Sequence, residues 1–455
     1  MDVSIAQAST AGFTAALAAQ AQATRFEALP EEAVRLTAQC VLDYIGVTLA
    51  GVAEPASAMV FAEMAEQGGA PVAHVHGRGD ARLPAISAAL ANGTASHALD
   101  FDDVNMAMPG QPSVAILPAL LALGEELHAS GQAVVTAFVA GYELQCRLGR
   151  LVAPDHYDGG FHATGTIGSF GAAAACARLM GLDADRTAHA LGIAATQAAG
   201  LKSMFGTMCK PLHAGKAAAN GLLAARLARR GFISRTDGIE APQGFAATHS
   251  ADCRIEDAWA EPAGGYHLRN NLFKYHAACY LTHATIEATR RLRQEHGLRP
   301  EQVAAVTLRL DRSCDRVCNI PDPHTGLETK FSLRHTCAMA LAGVDTAALG
   351  SYSDAGANDP ALVSLREKVG TEFQAGWTNT VTAVEITLLN GRIVSAEYDA
   401  GLAAADVVEQ GRRLDAKFRA LAGPYLGADR TGRVAALVER LQELPDITAL
   451  AEACA

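Results

Sequence analysis

Strand-type alternation is confined to one internal stretch of this 455-residue chain, and helical periodicity occupies both ends. Pro30-Glu31-Glu32 supplies a helix-compatible proline and an acidic first turn. Val34, Val41, Ile45 and Leu49 follow at helical spacing, and Gly51 is a stop. Residues 85–98, 113–128, 131–151, 184–196 and 215–230 repeat the pattern. After about residue 265 the texture changes. Residues 303–312 (VAAVTLRLDR) partly alternate, and 381–389 alternate before Asn390-Gly391, a type I′ hairpin turn, with 393–398 as the return strand. Helical stretches such as 332–341 lie between, and the tail from 403 is helical again. The pattern predicts a mainly α fold: a large all-helical domain of residues 1–265, completed by 401–455, with a smaller α+β lid domain, 266–400, inserted.

Composition narrows the function classes. Lys and Arg total 37 against 48 Asp and Glu, a formal charge of −11, and no basic run occurs, which argues against nucleic-acid binding. An anionic substrate would have to be drawn in by local cations, because the field of the whole protein opposes it. Ten cysteines are scattered without a CxxC pair, and the opening MDVSIAQASTAGF has neither a basic segment nor a long apolar run. The expectation is a reduced, cytoplasmic protein. The most apolar run, 163–180, is broken by Thr, Ser, Gly and Arg178 and is too polar and short for a bilayer. Within it Gly165, Gly168 and Gly171 sit three apart, a spacing that lets helices approach closely.

Four segments concentrate ionisable groups. In His97-Ala-Leu-Asp100-Phe-Asp102-Asp103 the crowded carboxylates need a cation, a proton or solvent. Magnesium, solvated acids at a helix end, or a carboxylate that orients a catalytic group would each answer that need. The magnesium chemistry calls for a second aspartate-rich motif, which is missing. In Gly160-Phe161-His162-Ala163-Thr164-Gly165 a histidine at a helix start can titrate near neutrality, beside free N–H groups that favour an anion. In Met208-Cys209-Lys210-Pro211-Leu212-His213 the lysine precedes proline, which predicts extended or turn backbone, and its apolar neighbours would desolvate it. Phe273-Lys274-Tyr275-His276 leads through Cys279 toward a helix; no triad spacing makes Cys279 a nucleophile. Cys314-x-x-x-Cys318 with His324 hints at zinc but lacks a partner pair. Neither a phosphate loop nor a nucleophile elbow is found.

Taken in order, ALDFDDVN, QPSVAILPALLALGE, GYELQCRLGR, GFHATGTIGSFGAAAACARLMGL, LGIAATQAAGL, KPLHAGKAAANG and KYHAACYLTHATIEA resemble the MmgE/PrpD family, from about residue 20 to 285. That family includes 2-methylcitrate dehydratase, cis-aconitate decarboxylase and iminodisuccinate epimerase. The resemblance implies a helical domain from both chain ends plus an α+β lid with the site between, a homodimer, and no cofactor or metal. It matches Asp100, His162, Lys210 and Lys274 to the family's catalytic positions. Gln111, Ser113, Tyr157, Cys279, Arg334 and His335 fall to substrate binding. Three positions depart from the pattern. Gln111-Pro112-Ser113 replaces His-Pro-Ser, Cys279 stands where some decarboxylases have histidine, and Arg334-His335 where some members have tyrosine. A glutamine can hydrogen-bond a carboxylate but cannot shuttle a proton.

The expected activity is cofactor-independent acid/base chemistry on a small di- or tricarboxylic acid, dehydration or decarboxylation of the 2-methylcitrate or cis-aconitate type. Lys210, Lys274 and Arg334 would neutralise carboxylates, His162 would be the main acid/base, and Asp100 would set its orientation or protonation. An epimerase of an aspartate-like dicarboxylate and a non-catalytic polycarboxylate-binding paralogue stand as alternatives.

Overall fold

The computed structural model describes residues 12–455; the opening residues 1–11, on which the leader reading rests, lie outside them. The chain divides into two compact units. One reaches to Asn271 and is completed by Ala404–Ala455, and the other is Leu272–Ala403.

The first unit is built from α1 (Phe13–Ala23), α2 (Glu31–Gly51), α3 (Pro55–Gln67), α4 (Ala85–His97), α5 (Ser113–Glu126), α6 (Gly131–Val152), the single turn α7 (Asp155–Asp158), α8 (Ala163–Leu179), α9 (Ala184–Ala195) and α10 (Cys209–Arg229). The long helix Val407–Glu439 returns to pack on α2, and it bends at Gly427, whose φ is +74°. One departure from an all-helical unit is a two-residue antiparallel ladder, β1 (Ala73–His74) with β2 (Arg82–Leu83). α2 is long and apolar enough to cross a membrane by length and composition, but its surface is covered by α4 and Val407–Glu439.

α8 is the centre of this unit. It packs against α5, α6, α9 and α10, and every residue from Ala163 to Ala177 is buried. A helix enclosed on all sides has no polar face, which is why its sequence is alanine- and glycine-rich. The expected close approach is present. A Cβ on Gly168 would lie 2.5 Å from Ala115 Cβ on α5, and one on Gly165 would lie 2.6 Å from the Ala199 carbonyl oxygen.

The second unit carries a four-stranded sheet. Its strands are β3 (Val303–Asp311), β4 (Val369–Gln374), β5 (Val381–Leu388) and β6 (Ile393–Asp399), in the order β4-β3-β5-β6. The expected hairpin joins β5 and β6, with Gly391 at φ +82°. Thr382, Val384, Ile386 and Leu388 alternate onto the buried face of β5, where the helices His283–His296 and Leu333–Ala342 cover the sheet. β4 pairs parallel to β3 at the sheet edge. Its sequence, VGTEFQ, buries fully only Val369, so no alternation betrays it.

Candidate active site

Asp100 sits three residues beyond the end of α4 with φ +52°, in the left-handed region that aspartate tolerates better than most residues. The turn is closed by the Asp100 N–H donating to the His97 carbonyl at 3.2 Å. The next residue is fixed from the far end of the chain. Lys417 Nζ donates to the Phe101 carbonyl at 2.7 Å, pairs with Asp43 at 2.6 Å, and lies over the Phe101 ring.

Lys210 reaches this turn from α10. Its Nζ lies 2.7 Å from Asp100 Oδ1. The extended or turn backbone expected before Pro211 is replaced by helix: Lys210 is the second residue of α10. Within a first turn the N–H that proline lacks has no intrahelical partner to lose, so Pro211 is accommodated there. Instead of standing among apolar neighbours, Lys210 enters the site as a paired cation.

His162 is the residue before α8 and is buried, and its side chain does not cap the helix. Its Nδ1 lies 3.0 Å from His213 Nδ1, and its Nε2 lies 3.4 Å from Gln111 Oε1. Gln111 is itself held by Thr164, whose hydroxyl donates to Oε1 and accepts the Gln111 backbone N–H at 3.0 Å. The His162 ring stacks on His97 at 5.7 Å and meets the edge of Phe205 at 4.9 Å; Lys210 Nζ stands 5.5 Å from the same phenyl ring. Thus α8, α10 and the loop between Lys202 and Cys209 bring His162, His213 and Lys210 together.

The electrostatics correct one expectation. Burial, then His97, Lys210 and His213, push the His162 imidazole well below its ordinary value, with Asp100 opposing them. His162 is therefore neutral at pH 7 rather than titrating near it. His213 is lowered in the same way, first by burial and then by His97 and Lys210. The group that orients the His162 ring also differs: the contacts at its nitrogens are to His213 and Gln111, while Asp100 pairs with Lys210. A carboxylate–histidine hydrogen bond in this cluster joins Asp102 to His97 Nδ1, at 2.9 Å. Ligand-type atoms of His97, Asp100 and Asp102 lie within 4.8 Å of one another, but Asp100 and Asp102 already have Lys210 and His97 as partners.

Other candidate residues are used differently. Ser113, expected at substrate, is buried and donates its hydroxyl to Asp103, which also accepts from Asn271 at 2.9 Å. Burial pushes the Asp103 carboxyl up to about 7 against those two hydrogen bonds. Tyr157 carries Lys202 Nζ over its ring at 3.6 Å. Lys274 is 1 % exposed, in the second unit. Arg334, expected to clamp a carboxylate, ties its helix to the sheet edge: it donates to Asn319 Oδ1 at 2.8 Å, Thr371 Oγ1 at 3.0 Å and the Val369 carbonyl at 3.2 Å. His335 is fully buried with both ring nitrogens unpartnered and is pushed down to about 4, chiefly by burial. The Cys279 thiol contacts Cys318, which also contacts Cys314, whereas His324 lies at the surface beside Asp322, away from a zinc-like grouping.

Sequence reasoning quoted His97 and His213 inside larger motifs but gave neither a role. The signal for His213 was available: three residues after Lys210 on a helix, it shares that lysine's face.

Comparison with known proteins agrees with this architecture. The MmgE/PrpD N-terminal domain matches residues 15–257 and the MmgE/PrpD C-terminal domain residues 276–443. A cis-aconitate decarboxylase of Homo sapiens is 29% identical over 392 residues, 83% of this chain and 80% of that protein. One from Mus musculus is 29% identical over 443 residues, covering 93% and 89%. One from Aspergillus terreus (strain NIH 2624 / FGSC A1156) is 28% identical over 403 residues, covering 82% and 81%. The family and these relatives mark an enzyme. With both of its domains matched in order along one chain, this protein belongs to the MmgE/PrpD family.

Proposed function

We propose that the protein is a cofactor-independent lyase that removes CO₂ or water from a small di- or tricarboxylic acid, with cis-aconitate as the leading candidate. The observation that carries this reading is a buried His162 set beside the Lys210–Asp100 pair, its imidazole pushed well below the ordinary value chiefly by burial. Loss of CO₂, or of an α-proton, leaves enolate-like charge next to a carboxylate. A fixed ammonium in a partly buried site lowers the energy of that charge. A neutral imidazole with an N–H can then deliver a proton to carbon, or to a leaving hydroxyl. Lys210 is the electrostatic group and His162 the acid/base. Asp100 fixes the ammonium and balances its charge until substrate arrives. Lys274 is proposed as a second carboxylate-binding cation. The relatives named as cis-aconitate decarboxylases support the choice of substrate. The reading includes the family's homodimer in the cytoplasm, and sedimentation of the purified protein tests the oligomeric state.

The deciding experiment incubates the protein in D₂O with cis-aconitate, citrate, 2-methylcitrate and iminodisuccinate, followed by NMR. Release of CO₂ from cis-aconitate, with one deuterium on the product carbon that takes up the electron pair, is the expected result. Water loss from citrate or 2-methylcitrate would make it a dehydratase. Deuterium exchange at a stereocentre with neither loss would move the assignment to an epimerase. Ligand-induced stabilisation without turnover of any candidate would make it a binding protein.

A further inference from the structure

The His162 ring has two nitrogens and both are engaged, Nε2 with Gln111 Oε1 and Nδ1 with His213 Nδ1. Gln111 Oε1 takes the Thr164 hydroxyl proton, and the Gln111 backbone N–H donates to that same hydroxyl oxygen. An amide oxygen has only lone pairs to offer, so its contact with His162 requires a proton on Nε2. A neutral His162 then has none on Nδ1, and the 3.0 Å contact there requires His213 to donate its Nδ1–H. The remaining nitrogen of His213, Nε2, is the basic one. His213 is partly exposed, whereas His162 is 2 % exposed.

We propose that His213 acts through His162 as a positioning and proton-relay residue. It holds His162 in the Nε2–H form, and it resupplies at Nδ1 the proton that His162 gives up at Nε2. The proposal rests on the acid/base reading of this site. Its steps balance as follows. A proton from water binds His213 Nε2 and makes an imidazolium. The His213 Nδ1–H bond breaks as the His162 Nδ1–H bond forms. The His162 Nε2–H bond breaks as the proton joins the substrate carbanion. Both rings end neutral, with one proton from water on the product carbon. After product leaves, the forms reset: His162 Nε2 takes a proton from water, its Nδ1 proton returns to His213 Nδ1, and His213 Nε2 releases one to water.

The surroundings suit transfer rather than storage. His97 and Lys210 both face His213 and disfavour its cation, as burial does, so an imidazolium there passes its proton on. Gln111 fixes the resting proton position on His162. A histidine at 111 could donate or accept toward Nε2 and leave the His162 proton undecided, and an amide oxygen cannot.

The test uses the intact protein with ¹⁵N-labelled histidines. Imidazole shifts should show protonated Nε2 and bare Nδ1 on His162, and the reverse on His213. His213→Gln keeps an N–H donor but cannot relay, so kcat on cis-aconitate should fall about 10²-fold with KM little changed. His213→Ala should recover activity when imidazole is added. A protonated Nδ1 on His162 in the wild type, or wild-type kcat in His213→Gln, overturns the proposal. A wild-type protein that turned over none of the acids would instead overturn the functional reading, and the nitrogen shifts would still decide the proton positions.

Discussion

Lys210 and Asp100 form an ion pair at 2.7 Å, joining the first turn of α10 to the turn that follows α4. Neither is fully enclosed, with side chains 12% and 24% exposed, so the pair can open toward a substrate carboxylate. Lys210→Met should lower kcat/KM by about 10²–10³-fold, the usual cost of removing one preorganised charge from a developing anion. Steady-state kinetics on cis-aconitate check this.

His162→Asn keeps a polar side chain of similar reach but removes the acid/base group. Its kcat should fall about 10²–10⁴-fold while the melting temperature stays near the wild-type value. A variant with near-full turnover would remove His162 from the mechanism.

Lys210 also lowers the His162 pKa, and Asp100 raises it. Lys210→Met deletes the first effect and leaves the second in place. The His162 titration, followed by imidazole NMR, should therefore move to higher pH in this variant.

Stability should fall as pH drops from about 6.5 toward 4. His76 and His156 are pushed down to about 4, His267 to about 3 and His335 to about 4, with burial the first cause in each case, and His162 is lowered as well. For a group whose folded pKa lies below its unfolded value, the unfolded chain binds more protons between the two. The stability it contributes is present above the unfolded pKa and is lost on acidification. Asp103 and Glu143, both raised to about 7, run the other way and favour the folded state as pH falls from 7 toward 4. The lowered histidines, His213 and His249 among them, outweigh the two raised carboxylates, so denaturant midpoints should drop across that window.

The two helical faces that meet at α8 can be probed without touching the site. Gln145 on α6 is fully buried with neither side-chain amide atom partnered. Gln145→Met, similar in length and apolar, should stabilise the protein by about 1–2 kcal/mol. Gly168→Val should cost about 1–3 kcal/mol, because Ala115 already occupies the space its side chain needs. Thermal unfolding measures both.

Much of this was legible in the sequence wherever one periodicity governed a segment. The helices of the first unit and the β5–β6 hairpin follow from apolar spacing and Asn390-Gly391. Two kinds of feature were not legible. β4 takes its place from pairing with a strand more than 50 residues away, so nothing local marks VGTEFQ as a strand. Among the site residues, the motifs located His162, Lys210 and Asp100 but not who touches whom. Lys210 was read from the proline after it, whereas the helix start decided its backbone. Ser113 and Arg334 are expected at substrate from the sequence, and only the packed fold shows Asp103, Asn319 and Thr371 already using them.

The peg formed by Lys417 gives the molecule a temporal order. It grips the Phe101 carbonyl and Asp43, yet it is translated more than 300 residues after the turn it secures. A nascent chain still on the ribosome therefore carries every residue from Asp100 to His213 while that turn lacks its anchor. That turn is secured late, when the helix Val407–Glu439 docks, and a fragment stopped short of residue 417 would leave the carbonyl next to Asp100 without its ammonium donor.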